Sequence, residues 1–231
     1  MKRTAAFYEE NAFMYSLRTR NVNMTDILEV FAALLPPGGR VLDVGCGSGR
    51  DLKWFAQKGF RTAGLDASER MCELAREYAG APVVCCRMED WAAETAPADP
   101  ADEDPVGSGC LYDGIWANAS LLHLQEEDLH AFFRRAADRL RPYGVMYFSM
   151  KETPDEDAKW IVSAENMAAW RDGRGVTYRD TEGRLYRLFT RKDLREVLRR
   201  EKRFSVIDSW SFRDRLTRDM SWRMVILERG E

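Results

Sequence analysis

The stretch VLDVGCGSGRD, Val41 to Asp51, decides the fold. Val41, Leu42 and Val44 surround a single acid, Asp43, in the pattern of a buried strand. Gly45, Gly47 and Gly49 follow at every second position, and the next segment, DLKWFAQKGF, has the apolar spacing of a helix. Where a strand turns through glycines into a helix, a ligand can touch bare backbone at the positive helix end. A dinucleotide loop spaces its glycines G-x-G-x-x-G so that its N–H groups reach a pyrophosphate. Here the spacing is G-x-G-x-G, and Asp43 and Asp51 add negative charge on either side. These carboxylates would repel a diphosphate. They suit a ligand that carries positive charge and no phosphate.

Strands and helices alternate outward from this stretch. Residues 4–17 and 22–35 read as two helices, the second stopped by Pro36-Pro37-Gly38-Gly39. Val41–Val44 is a strand and Asp51–Lys58 a helix. Arg61–Leu65 is a strand ending at Asp66, and Ser68 can cap a helix that runs to about Tyr78. Pro82–Met88 and Tyr112–Ala117 are strands, Glu127–Leu140 is a helix and Val145–Met150 a strand, with Arg141–Gly144 as the turn before it. Short connections between β and α units imply a mostly parallel sheet covered on both faces. Beyond Met150 the pattern weakens: residues 153–183 are polar and Gly-interrupted, with a short helix around Ser163–Arg171. Thr190 caps a helix over Asp193–Lys202, and Phe204–Phe212 and Trp222–Leu227 form an antiparallel final pair. Residues 95–110, rich in Pro, Asp and Ala, read as a solvated surface loop.

Composition narrows the function. With 231 residues the chain can form one α/β domain, and a net charge of −3 advertises neither nucleic acid nor an anionic membrane. No apolar run approaches the ~20 residues that span a bilayer, and the N-terminal stretch lacks the apolar core of a secretory signal. The five cysteines show no C-x-x-C spacing, which suggests reduced thiols and a cytoplasmic location. Cys85 and Cys86 alternate faces, so at least one belongs to the core. No metal site is expected, because His123 and His130 are the only histidines and neither lies near a cysteine pair.

The string Val41–Asp51 closely resembles motif I of the class I S-adenosylmethionine (SAM)-dependent methyltransferases. The chain as a whole is similar to their small bacterial methyltransferase-11-like and tellurite-resistance-like groups. The resemblance covers about residues 36–150 well and the C-terminal strands in outline. It implies an α/β, three-layer Rossmann-like fold: a seven-stranded, mostly parallel sheet with a reversed last strand and an N-terminal helical lid. One domain would span 1–231, with the lid at 1–35, the SAM-binding core at 36–150, and a substrate-side segment with closing strands at 151–231. The implied activity is in-line transfer of a methyl group from SAM to a small-molecule acceptor, leaving S-adenosylhomocysteine. Methylation of RNA or protein, and a SAM- or nucleotide-binding module without catalysis, are the rival readings. No membrane partner is expected, and the chain is read as a monomer or homodimer.

The resemblance also assigns candidate residues. Asp43, Gly45, Cys46, Gly47, Ser48, Gly49 and Asp51 would form the cofactor loop. Asp66 would bind the ribose hydroxyls, or else cap the following helix. Ala67 and Met71 would lie near adenine, as would Met88, Glu89 and Asp90, with Asp90 able to cap a turn instead. Tyr112–Ser120 looks like motif IV and brings Ala117, Asn118 and Leu122 beside the methyl donor. Tyr15 and Arg20 of the lid would reach the methionine part, or the helix simply packs on the sheet. Acceptor-side candidates are His123, Asn118 and Arg213, with Lys151, Glu152, Arg179, Tyr186 and Trp210. His123, a lone histidine among leucines, reads more readily as packing than as catalysis. The DPPY- or NPPY-type motif of amino-methylating nucleic-acid enzymes is absent from Ala117–Ser120. The basic stripe from Arg191 to Arg203 offers phosphate contacts, but Glu196 and Glu201 interrupt it as on a solvated face.

Overall fold

The computed structural model describes residues 2–91, 110–152, 176–213 and 221–231. Two helices, α1 (Lys2–Thr19) and α2 (Thr25–Ala32), precede β1 (Arg40–Val44), α3 (Arg50–Gln57), β2 (Arg61–Asp66), α4 (Glu69–Ala79) and β3 (Val83–Cys85). Next come β4 (Tyr112–Ala117), a 3₁₀ turn at Leu121–His123, α5 (Glu126–Arg139) and β5 (Leu140–Glu152). The chain then forms β6 (Val176–Arg179), β7 (Leu185–Leu188), α6 (Arg191–Arg200), β8 (Phe204–Arg213) and β9 (Ser221–Arg229).

Seven strands make one sheet in the order β3-β2-β1-β4-β5-β9-β8. β1 to β5 are parallel, whereas β9 runs antiparallel to both β5 and β8. This is the Rossmann-like sheet with a reversed last strand that the family resemblance implies, around the parallel core that the β–α alternation anticipates. Strand order reverses between β1 and β4, and open α/β sheets bind ligands at the carboxyl ends of strands beside such a point.

Period-two alternation buries both faces. Val41, Trp116, Tyr147 and Ile226 pack with Leu28 and Phe31 of α2 and Phe55 of α3. Leu42, Ile115, Met146, Phe148 and Val225 pack on the other face with Leu129, Phe132 and Phe133 of α5 and with Val197 of α6. Gly114 permits the close approach of α2, since a Cβ there would lie 2.8 Å from Leu35 Cδ2 and 3.0 Å from Phe31 Cζ. Cys86 joins the core margin while Cys85 is exposed.

Three elements differ from expectation. The strand read over Pro82–Met88 shrinks to Val83–Cys85, because it is the sheet edge and the chain turns at Arg87–Trp91. Arg141–Gly144 is not a separate turn but a bulge within β5: Tyr112 pairs with Leu140 and Gly114 with Val145, and Tyr143 takes a positive φ of 63°. The polar segment before α6 contains the hairpin β6–β7, whose Leu185, Tyr186 and Leu188 are buried. The helix read at Ser163–Arg171 and most of the acidic loop 95–110 lie outside the described residues.

Candidate functional site

A cavity of 780 Å³ opens at the carboxyl ends of the central strands, beneath α1. Its floor is the glycine loop. Gly45 and Cys46 donate their N–H groups to Leu65 O at 2.8 and 3.0 Å, which pins the loop to the end of β2. Asp66 pins it again, accepting from Gly47 N at 3.0 Å through one oxygen and from Ser68 N at 3.0 Å through the other. Ser68 in turn caps α4 through Met71 N at 3.2 Å. Asp66 therefore serves the helix entry and also lines the cavity.

The three loop glycines do different work. A Cβ on Gly45 would stand 2.5 Å from Ser120 Cβ, so this glycine lets β4's outgoing turn close on the loop. A Cβ on Gly49 would stand 2.9 Å from Ala75 Cα, so Gly49 serves the contact between α3 and α4 and does not line the cavity. At Gly47 the same atom would meet nothing within 4 Å, and its φ of +52° disfavours any side chain. Gly47 is thus the loop position that leaves room for a ligand.

Charge concentrates at this end. Asp43 is buried, and its Oδ2 has no hydrogen-bond partner among the described residues. Burial, reinforced by nearby Asp51, raises the Asp43 pKa well above the carboxylate range. Asp51 is fully engaged: Arg50 forks onto it at 2.6 and 2.9 Å, and Trp116 Nε1 and Asn118 Nδ2 donate to it at 2.9 and 3.2 Å. Asn118 also accepts from Ser149 Oγ at 2.7 Å, so both ends of its amide are held. Glu89 takes Arg87 at 2.5 Å with one oxygen and leaves the other buried and unpartnered.

α1 roofs the cavity with Thr4, Tyr8 and Tyr15 and is anchored at both flanks. Thr4 Oγ1 accepts from Leu185 N at 2.9 Å, while Glu9 accepts from Ser68 Oγ at 2.7 Å and from Arg70 N at 3.2 Å. Tyr8 and Tyr15 share a face with ring centroids 5.1 Å apart, nearly perpendicular. His123 Nδ1 lies 2.5 Å from Leu185 O, and Nε2 lies 3.0 Å from the Tyr8 hydroxyl. A carbonyl can only accept, so Nδ1 carries the proton and Nε2 accepts from Tyr8. Burial depresses the His123 pKa to about 4, keeping the ring neutral at physiological pH.

The far end is apolar. Trp210 and Phe212 of β8, Trp222 and Met224 of β9, and Met24 and Ile27 by α2 line it. Phe212 faces Trp222 across the final hairpin, and Trp210 faces Met224, so the two tryptophans are not opposite one another.

Of the sequence candidates, the cavity gathers Tyr15, Asp43, Gly45, Cys46, Gly47, Ser48, Asp51, Asp66, Ala67, Met71, Met88, Glu89, Asn118, His123 and Trp210. Five expected cofactor residues stand elsewhere. Gly49 packs on Ala75, and Ala117 and Leu122 turn into the core because they point to the opposite side of their elements. Arg20 lies over the Tyr78 ring at 4.3 Å, and Asp90 turns outward to Arg87 at 3.7 Å. The side chain of Arg213 lies outside the described residues. On the acceptor side, Lys151 stacks over Tyr186 at 4.1 Å, and Glu152 is buried on Arg223 at 2.7 Å and Ser211 at 2.8 Å. Arg179 bonds Gly183 O at 2.9 Å within its own hairpin. Sequence reasoning gives no role to Arg50, although it lies within the Val41–Asp51 string, and misses Arg87, Phe212 and the α1–α2 connection, which carry no motif and meet only in the fold. On α6, Glu196 holds Arg199 and Arg200 at 3.0 and 3.2 Å, while Arg203 pairs with Glu201 and Asp138, so much of the basic stripe is internally neutralised. Among the described residues no cluster of His, Cys, Asp and Glu is placed to hold a metal ion, and no helix is long and apolar enough to cross a membrane.

Comparison with known proteins agrees with this architecture. A family model described as a methyltransferase domain matches residues 16–201. A ubiquinone biosynthesis O-methyltransferase of Xanthomonas axonopodis pv. citri is 29% identical over 183 residues, covering 68% of this chain and 70% of its own length. The Mesorhizobium japonicum enzyme of the same name is 31% identical over 134 residues, and the match spans 58% of this chain but only 49% of that protein. Among solved structures, the 1,6-didemethyltoxoflavin-N1-methyltransferase of Burkholderia thailandensis, with 1,6-didemethyltoxoflavin and S-adenosylhomocysteine bound, superposes with a TM-score of 0.66. That pair is 23% identical, with 98% of this chain and 89% of the other covered. The chain belongs to the methyltransferase-domain family and has the class I SAM-dependent methyltransferase fold.

Proposed function

We propose that this protein transfers a methyl group from SAM to a small-molecule acceptor, with the cofactor at the glycine-loop end of the cavity and the acceptor at the aromatic end. The observation that carries this reading is one continuous cavity joining a carboxylate-lined glycine loop to an aromatic wall. Its 780 Å³ lies in the upper part of the range for ligand pockets, roughly 300–1,000 Å³. The buried, unpartnered oxygens of Asp43 and Glu89 and the open space over Gly47 fit a cationic, amine-bearing cofactor. Asp43 would hold the ammonium group, whose charge lets the buried carboxyl ionise. Asp66 would take ribose hydroxyls on its remaining lone pairs, Glu89 and Met88 would meet adenine, and Tyr15 would close over the methionine part.

SAM supplies a methyl group already activated on sulfur, so the protein's task is alignment and exclusion of water. α1 supplies the cover, held by Glu9 on one flank and by Thr4 and Tyr8 on the other. The Tyr8 hydroxyl donates its hydrogen bond to His123 Nε2, which orients the phenol oxygen's lone pairs to accept from an O–H or N–H, from Tyr15 beside it or from an acceptor. His123 is not the final proton sink. Protonating a ring held at about 4, against the usual value near 6.5, costs on the order of 3 kcal/mol. Its part is to fix the Tyr8 oxygen, and the released proton passes to solvent. The five free cysteines accord with a cytoplasmic location.

Titration calorimetry with SAM, S-adenosylhomocysteine, NAD and FAD tests the cofactor: heat is expected from the first two only. Binding of NAD or FAD instead would overturn the assignment. A panel of methyl acceptors, scored by S-adenosylhomocysteine release, then separates an enzyme from a binding module.

A further inference from the structure

The two ends of the cavity differ in charge as well as polarity. Both arginines among its described lining residues are committed at the cofactor end, Arg50 to Asp51 and Arg87 to Glu89. At the aromatic end no arginine or lysine is among the described lining residues; a neighbouring cation, Lys151 Nζ, stands 5.8 Å from the Trp222 ring centroid and closer, at 4.1 Å, over Tyr186. The ionisable group there is Asp26, in the first turn of α2, exposed and in no ion pair with a described residue. Its chain neighbours Met24 and Ile27 pack in the same cluster as Trp210 and Trp222. A carboxylate at the rim of a slot of aromatic rings attracts a cation twice, through its own charge and through the ring faces. The same slot disfavours an anion, which would lose hydration beside Asp26 and find no counter-charge among the described lining residues of that end. The methionines give the slot walls that adapt to a flat ring.

We infer that the acceptor is a planar aromatic or heteroaromatic molecule bearing a basic nitrogen, its ring against Trp210, Phe212 and Trp222 and its charged nitrogen toward Asp26. This names the acceptor class for the methyltransferase reading and rests on it for the word acceptor. The slot itself does not depend on that reading.

The test uses three naphthalene probes of matched size: 2-(aminomethyl)naphthalene, 2-naphthylmethanol and 2-naphthylacetate. Each is titrated into the full chain, with and without S-adenosylhomocysteine, and followed by calorimetry. The amine should bind at least about tenfold more tightly than the carboxylate, with the alcohol between them. Asp26→Asn should weaken the amine about fivefold or more and move the alcohol less than about twofold, whereas Trp222→Leu should weaken both. Carboxylate binding equal to amine binding, an unchanged amine-to-alcohol ratio in Asp26→Asn, or no binding of any probe would each overturn the inference. If the probes rank as expected but S-adenosylhomocysteine does not bind, the methyltransferase reading fails and the slot stands. If S-adenosylhomocysteine binds and the probes do not rank, the reverse holds.

Discussion

The glycine-loop end and the aromatic end of the cavity are built on opposite plans. The first comes largely from consecutive residues at the tips of β1 and β2, and apart from one oxygen each of Asp43 and Glu89 its carboxylates are tied to backbone or to other side chains. Asp66 holds two amides, and Asp51 holds an arginine, an indole and an amide. The second is assembled from the β8–β9 pair and the distant α1–α2 connection, and those two parts meet through side-chain packing of Met24 and Ile27 with Trp210 and Trp222. A hydrogen-bonded loop has one arrangement and suits one invariant ligand. A wall of aromatic and methionine side chains can change composition without losing the fold, and so suits a ligand that varies among relatives.

This contrast is open to attack at four points. The largest effect should come from Gly49→Ala, which belongs to the loop but not to the cavity. Its Cβ would sit 2.9 Å from Ala75 Cα at a φ of +84°. Overpacking and left-handed strain together should cost about 2–4 kcal/mol in a urea titration. The folded fraction should still bind S-adenosylhomocysteine normally, and loss of binding without loss of stability would return Gly49 to the ligand site.

The second point lies at the junction of the two ends. His123 has a folded pKa of about 4, below the ordinary histidine value, so the folded state binds fewer protons than the unfolded chain near pH 5. Its stabilising contribution is complete above about pH 6.5 and is lost as pH falls toward 4, a change on the order of 3 kcal/mol. The stability of His123→Asn should lack that slope. Parallel pH profiles for variant and wild type would mean that the imidazole is not buried as described.

Third, Gly47→Val should weaken S-adenosylhomocysteine at least tenfold, about 1.4 kcal/mol, because the side chain enters space that meets no protein atom. Binding of an aromatic probe should be unaffected. An equal loss at both ends would show that the ends are not independent. The smallest effect is the reciprocal one: Phe212→Leu should change S-adenosylhomocysteine affinity by less than about 0.7 kcal/mol while slowing methyl transfer. A larger change in cofactor affinity would place Phe212 against the cofactor rather than the acceptor.

The same division governs how much could be read in advance. The parallel strands declare themselves through apolar runs and short connections, so β1, β2 and β4 fall within a residue of expectation. The edge strand β3 was overextended because nothing in Pro82–Met88 says where pairing partners end. The hairpin β6–β7 is not legible in the sequence because polar Thr177, Arg179 and Arg187 interrupt its apolar residues, and the charge of Arg187 finds its partner only elsewhere in the fold, at Glu126 3.2 Å away. Arg20 was expected at the cofactor because it sits on the lid helix, yet the helix turns it onto Tyr78.

Val41–Asp51 and the β–α rhythm around it already contain the parallel core of the sheet and a loop that favours a cation over a diphosphate. These follow from local rules of strand alternation, glycine conformation and charge near a helix terminus, which act over a few residues. Only the folded chain reveals that Gly49 serves helix packing, that Tyr8 and His123 meet across the chain, and that Asp26 lines the same cavity as Trp210, Phe212 and Trp222. Each of those contacts joins segments whose separation in sequence carries no periodic signal, and packing of the completed sheet is what brings them together.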